Sequence, residues 1–224
     1  MNDKANREAP EFSEGFLKEF HELLEWRRDV RHFKTDALRE GVLERLLALT
    51  DLSPSVGNSQ PWRFILIEDP ELRGAAYDNF QGANEQALKG YNGQRAALYA
   101  QLKLSGMQDA PVHLAVFCDE DPEQGRGLGR QTMPETLRYS VVSAINTLWL
   151  GARAEGVGLG WVSILEPEEL KDVLKAPDHW SFVAYLCMGY PQEERSVPEL
   201  QTRGWQSRTP WQTRVYKNKF SEDL

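Results

Sequence analysis

The stretch GVGLGWVSIL, residues 156–165, sets glycines at 156, 158 and 160 ahead of an apolar run with the make-up of a β-strand. A dinucleotide fingerprint has its glycines after a strand, in the turn that opens a helix. The order here is reversed, so these glycines do not signal a dinucleotide-binding fold. Residues without a Cβ at such a place let the backbone approach a flat ring closely. The other glycine-rich stretch, GRGLGRQ at 125–131, is no Walker loop, because no Lys-Ser or Lys-Thr pair follows it.

Outward from this strand the other elements are read by their period. Phe16, Phe20, Leu23 and Leu24 recur at helical spacing after Ser13 and predict an amphipathic helix over 13–26. Leu38, Val42, Leu46 and Leu49 predict another over 37–52. WRFILIE at 62–68 reads as a short strand apolar on both faces, and VHLAVFC at 112–118 and FVAYLCMGYP at 182–191 read as further strands. Residues 71–106 are polar and largely helical, broken by glycines at 74, 82, 90 and 93, which suits a mobile cover. A helix over 135–155 is apolar on most sides and therefore central, and PEELKDVL at 167–174 is a short one.

Strands and helices do not alternate strictly. The expected architecture is an α+β sandwich, a central mixed sheet flanked by helices. One domain is expected over 13–210, with polar terminal extensions at 1–12 and 211–224. From Pro191 onward apolar residues lack regular spacing, so this tail must lean on another surface, for which a partner subunit is a candidate.

At 41% hydrophobic and 27% charged residues the chain can bury a core in the ordinary way. A net charge of -8 excludes a general affinity for nucleic acid or anionic membrane, so an anion site has to be a local arginine cluster. Cys118 and Cys187 sit inside apolar runs and read as buried small hydrophobes. The histidines are scattered without ligand spacing, so no metal is expected. The opening MNDKANREAPEFSE has no apolar signal region, and no run approaches the roughly 20 residues of a membrane span; a cytoplasmic protein is expected.

WRRDVRHF at 26–33 is such a local cluster. Arginine forks can hold a phosphate bidentately, yet Asp29 among them repels one. In extended backbone Arg27, Asp29 and Arg31 share a face and Arg28 takes the other. A solvated basic turn, with Asp29 as its salt-bridge partner, would account for the same residues. SPSVGNSQPWRF at 53–64 crowds Ser53, Ser55, Asn58, Ser59 and Gln60 along a path made irregular by Pro54, Gly57 and Pro61. It can offer polar groups to a planar ligand, or serve as an ordinary helix-to-strand connection.

Taken in order, RRxxR, SPSxxNSQPWRF, GLGW before a strand and the basic TRGWQSRTP at 202–210 resemble the nitroreductase family of FMN proteins. Within it, RRDVRHF, SPSVGNSQPW, QLKLSGMQDAPVHLAVF, GRQTMPETLRYSV and GLGWVSIL together are similar to the branch of 5,6-dimethylbenzimidazole synthases. Ordinary nitroreductases usually have a small hydroxyl residue where Asp29 stands, whereas that branch has aspartate there and serine at the position of Ser163.

The resemblance implies a homodimeric sandwich with FMN between subunits and exchanged C-terminal segments. It places Arg27, Arg28 and Arg31 on the FMN phosphate and ribityl chain, with Asp29 and Val30 in the same segment and Arg208 as a further phosphate contact. Ser55 and Asn58 would meet the flavin from the partner subunit, Leu104 would line its ring, and Ser163 would stand near its reactive edge. The implied activity consumes reduced FMN as substrate with O2, yielding 5,6-dimethylbenzimidazole, the lower ligand of cobalamin, and erythrose 4-phosphate. A separate flavin reductase would supply the reduced FMN.

This gives the aspartate a purpose. Cleaving a ribityl C–C bond needs protons removed and returned at sugar hydroxyls. Neighbouring arginines are expected to lower the Asp29 pKa, so that it acts first as a base. Ser163, with no His or Lys to activate it, suits a hydrogen bond to the flavin rather than nucleophilic attack. The alternatives are an FMN-dependent NAD(P)H nitroreductase or dehalogenase, and a non-enzymatic flavin-binding protein that would leave the carboxylate unexplained.

Overall fold

The computed structural model describes residues 8–101 and 106–220. Along the chain run α1 (Glu14–Trp26), α2 (Val42–Thr50), β1 (Trp62–Leu66), α3 (Pro70–Lys89), α4 (Gly93–Gln101), α5 (Gly106–Asp109) and β2 (Val112–Asp119). Then follow α6 (Thr136–Ala154), β3 (Gly158–Val162), α7 (Pro167–Val173), β4 (Trp180–Gly189) and α8 (Glu199–Thr202).

The four strands form one sheet in the order β1-β2-β4-β3, every neighbour antiparallel. Each helical excursion between paired strands returns to the end of the sheet it left. Parallel pairing, expected within a mixed sheet, is confined among the described residues to one bridge, Asp29 to Leu159 at the edge of β3.

Side chains alternate across β2 and β4, so the sheet has two apolar faces. Leu114, Val116, Leu186 and Met188 pack against Leu46 of α2 and Val141, Ile145 and Leu148 of α6. Ala115, Phe117, Tyr185 and Cys187 pack against Ala76 and Phe80 of α3, Met107 of α5 and Leu170 of α7. Burying one such Leu or Phe side chain contributes about 1.5–3 kcal/mol, so this three-layer arrangement carries the stability of the molecule. Both cysteines are buried in it, as expected. His113 is buried too, its Nδ1 2.8 Å from the Tyr185 hydroxyl and its Nε2 3.1 Å from the Ala110 carbonyl. Burial lowers its pKa to about 4, so it is a neutral core residue.

Several boundaries differ from the sequence expectation. Helix α2 starts at Val42 because Gly41 adopts φ 75°, outside the helical region, and Leu38 packs on the core from the preceding loop. β1 is half-covered rather than buried on both faces, with Leu66 exposed at the sheet edge. Helix α3 runs unbroken through Gly74 and Gly82, both of which face open space, and the break comes only at Gly90. Asn79 ties α3 to α7: its amide donates to the Glu166 carbonyl (3.2 Å) and to Glu169 (3.0 Å), and its oxygen accepts from the Glu166 N–H (3.0 Å). Helix α3 is thus fixed to the core and to α7 along its length.

The tail leans first on its own chain. The Gln192 N–H donates to the His32 carbonyl (3.1 Å) and the Lys34 N–H to the Tyr190 carbonyl (2.8 Å), laying the residues after β4 along the arginine stretch. Among the described residues no helix is long and apolar enough to cross a membrane, and no cluster of His, Cys, Asp and Glu could hold a metal.

The arginine stretch sits directly on β3. A Cβ at Gly158 would come within 2.9 Å of the Val30 side chain, and one at Gly160 would overlap the Val30 carbonyl oxygen. These glycines thus make room for the chain's own residue 30, where the sequence suggested room for a ring. Gly160→Ala is expected to cost about 1–3 kcal/mol, read as a lower urea midpoint with an unchanged slope.

Candidate active site

Helix α1 ends at Trp26, where Arg27 turns extended, and residues 27–31 run beside β3. The Val30 N–H donates to the Leu159 carbonyl at 3.0 Å, which fixes the register. That register places the Asp29 carboxylate at the strand backbone. One oxygen accepts from the Trp161 N–H at 2.9 Å, and the other lies 3.5 Å from Nε of Arg31. The Arg31 side chain is 12% exposed and that of Asp29 38%, so the carboxylate keeps one open flank.

A cavity of about 160 Å³ opens on this flank, lined by Arg27, Arg28, Asp29, Arg31 and, from the tail, Pro198, Glu199, Leu200 and Arg208. It adjoins a larger one of about 300 Å³ that Val30, Trp149 and Arg153 help to line. Four arginines predicted from two distant stretches thus surround one space. The protein as a whole is acidic, so this concentration of positive charge is local. Burial, followed by repulsion from Arg208, depresses the pKa of both Arg27 and Arg28. An anion placed in the cavity would relieve that repulsion.

The arginines do not have equal freedom. Arg28 donates through Nε to the Ser196 carbonyl at 3.0 Å, again through a terminal nitrogen to the same oxygen, and through the other to its neighbour Arg27's carbonyl at 2.6 Å. It fastens the tail to the arginine stretch, a role the sequence did not suggest. Arg27 instead lies over the ring of Trp149, its guanidinium carbon 4.8 Å from the centroid.

Asp29 corrects the sequence expectation. Its pKa is raised, not lowered: burial is the largest cause and outweighs the Trp161 hydrogen bond and the attraction of Arg31 and Arg27. Taking the carboxylate partly out of water disfavours its ionised form by more than Trp161 and the two arginines return. A raised pKa eases protonation of the carboxyl, which suits it to return a proton as well as to accept one.

The remaining predicted residues lie elsewhere in the chain. Ser163 is exposed just beyond the end of β3 and lines neither cavity. Ser55 and Asn58 belong to a loop docked on α6, where the Val56 N–H donates to the Ser140 hydroxyl at 3.0 Å. The Ser55 hydroxyl accepts from the Gln60 N–H (3.1 Å), and the Asn58 carbonyl accepts from the Gln124 amide (3.0 Å). Asn58 and Gln60 take φ of 57° and 46°, a conformation that costs energy in non-glycine residues and persists only where surroundings enforce it. Within one chain the loop does not reach the arginines' cavities. Leu104 lies outside the described residues. Sequence reasoning missed Trp149 and the Trp161 amide, since only the fold brings them to residues 27–29.

The nitroreductase family pattern matches residues 24–190, from the arginine stretch through β4. A 5,6-dimethylbenzimidazole synthase of Rhodospirillum rubrum is 53% identical over 204 residues, covering 91% of this chain and 97% of its own. A protein of the same name from Rhodobacter capsulatus is 49% identical over 195 residues, covering 86% and 94%. Among solved structures, oxidised iodotyrosine deiodinase bound to FMN and 3-iodo-L-tyrosine aligns with a TM-score of 0.71 at 22% identity, over 90% of this chain and 100% of that one. Identity at that level speaks to the fold alone. With three quarters of its length inside the family pattern and near-complete relatives at about half identity, the chain belongs to the nitroreductase family.

Proposed function

We propose that this protein is a 5,6-dimethylbenzimidazole synthase that takes reduced FMN and O2 and releases 5,6-dimethylbenzimidazole and erythrose 4-phosphate. The observation that carries the reading is a carboxyl of raised pKa set beside a cavity of four arginines, in a chain half-identical to proteins of that name. Reduced FMN would supply the ring that becomes the benzimidazole, the ribityl carbon that closes it and the electrons passed to O2.

The chain's own residues bind, orient and move protons. Arg27, Arg31 and Arg208 hold the phosphate by charge-assisted hydrogen bonds, and Arg28 keeps the tail in place around it. Asp29, oriented by the Trp161 amide and Arg31, takes a proton from a ribityl hydroxyl and returns it after the C–C bond has parted. Ser163 serves as a hydrogen-bonding group at the flavin's reactive edge, from its place after β3. The protein works in the cytoplasm and receives reduced FMN from a separate flavin reductase.

One chain leaves the site incomplete, and we place the missing wall in a second copy. Ser55 and Asn58 sit on a loop remote from their expected ligand, and the exposed ring of Phe12, just ahead of α1, stacks on Phe16 of the helix and Phe16 on Phe20. Trp211 and Phe220 of the tail are exposed as well, which suits a segment that wraps a partner. Light scattering should give a homodimer mass with two FMN bound. A monomer that binds FMN tightly would overturn this assembly.

The Asp29→Asn variant tests the chemistry. It should retain reduced-flavin binding, while the ratio of dimethylbenzimidazole formed to reduced FMN oxidised falls by about 10²–10⁴-fold, the usual effect of a positioned acid or base. A wild-type ratio would reduce Asp29 to a strut, and NAD(P)H-driven reduction of a nitroaromatic at comparable rates would favour an ordinary nitroreductase.

The same variant should reveal the raised pKa without any ligand. A carboxyl whose folded pKa lies above its unfolded value costs stability once ionised, and the cost grows as pH rises from the unfolded to the folded pKa. Ligand-free Asp29→Asn should therefore melt above the wild type at neutral pH. The gap should close as the pH falls below about 3.9, where the wild-type carboxyl is protonated in both states. A constant gap would place its cause outside this ionisation.

A further inference from the structure

Trp149 belongs by sequence to the apolar stripe of α6, yet its ring is only half-buried and looks onto the arginine stretch. Its indole N–H donates to the Arg28 carbonyl at 3.2 Å, which pins the backbone between Arg27 and Asp29. Its face carries the Arg27 guanidinium at 4.8 Å. The Trp161 ring lies tilted beside it, with centroids 6.4 Å apart, and Trp161 in turn holds the Asp29 carboxylate through its backbone amide.

Two other arginines lie over tryptophan rings, and both are neutralised. Arg63, over Trp180, is paired to Asp119 at 2.6 Å, and Arg153, over Trp26, is paired to Glu194. Among the described residues Arg27 makes no ion pair. The distinction matters chemically. A carboxylate would engage the in-plane N–H donors of the guanidinium and cancel its charge, whereas a ring face stabilises the cation and leaves those donors for a ligand. Arg27 also has to be held against repulsion from Arg208, which acts on it in the same cavity.

We infer that Trp149 is the positioning residue that sets the preference for a phosphorylated flavin, by holding Arg27 in the anion cavity as a cation with its donors open. This rests on FMN being the ligand, and it assigns to a helix residue outside the arginine stretch the discrimination between FMN and riboflavin. The ring acts through Arg27, so its effect should disappear when Arg27 is absent.

The experiment measures the dissociation constants of FMN and riboflavin by flavin fluorescence for the wild type, Trp149→Leu, Trp149→Phe, Arg27→Ala and the Arg27→Ala/Trp149→Leu double variant. Trp149→Leu should lower the riboflavin-to-FMN ratio of constants by about tenfold, the effect of losing a partly desolvated cation–π contact, and change riboflavin affinity by less than about twofold. Trp149→Phe, which keeps a ring face, should lose less than half of that effect on a logarithmic scale. In the Arg27→Ala background, Trp149→Leu should change the ratio no further. Should the leucine variant not fold, Trp149→Met takes its place, with an unbranched side chain that adapts to the gap. An unchanged ratio in the leucine or methionine variant, an equal loss for both flavins, or an equal loss with and without Arg27 would each overturn the inference. A wild type that binds FMN and riboflavin alike would instead overturn the FMN reading beneath it.

Discussion

The contact between Val30 and the two glycines of β3 is the constraint on which the site depends. Residue 30 fits against the strand only because positions 158 and 160 lack a Cβ, and its N–H bond to Leu159 then fixes the register of the whole stretch. From that one fit follow the position of the Asp29 carboxylate at the Trp161 amide, Arg27 at the face of Trp149, and Arg28 at the tail. A slip by one residue would exchange the faces of every side chain from 27 to 31. Aspartate would then point where arginine is needed, and the cavity would lose its charge pattern.

Charge is arranged here by geometry rather than by composition. The chain carries -8 overall, yet four arginines share a space of about 160 Å³ with only two acidic residues, Asp29 and Glu199. Asp29 does not neutralise them, because burial holds its pKa up against their attraction. The pocket thus keeps positive charge available to a ligand while the Asp29 carboxyl gains a proton more readily than an ordinary one. Both properties come from the same poor solvation.

The arginine–aspartate cluster was legible in the sequence because its members are contiguous and their side-chain directions follow from an extended backbone. The central strands were legible from the apolar runs VHLAVFC and FVAYLCMGYP, though not their antiparallel pairing, and Ser13 marked the first turn of α1. What could not be read is whatever depends on distance along the chain. Trp149 looked like another core residue, since nothing local says that its ring will meet Arg27. The sign of the Asp29 shift was misjudged for the same reason: the arginines are visible in the sequence, and the depth of the pocket is not. Gly158 and Gly160 were recognised as a place of close approach, but the approaching group is the chain's own Val30.

Arg28 and Ser196, joined by hydrogen bonds, stand 168 residues apart. A ribosome releases the chain from its N-terminus, so the arginine stretch emerges long before the segment that fastens it and before Arg208. Closing so large a loop carries an entropy cost that only the completed sheet between its ends can offset. The cavity is therefore walled on all sides only after the chain has returned to its own beginning. Until then the young polypeptide carries its cluster of like charges with no tail drawn around it.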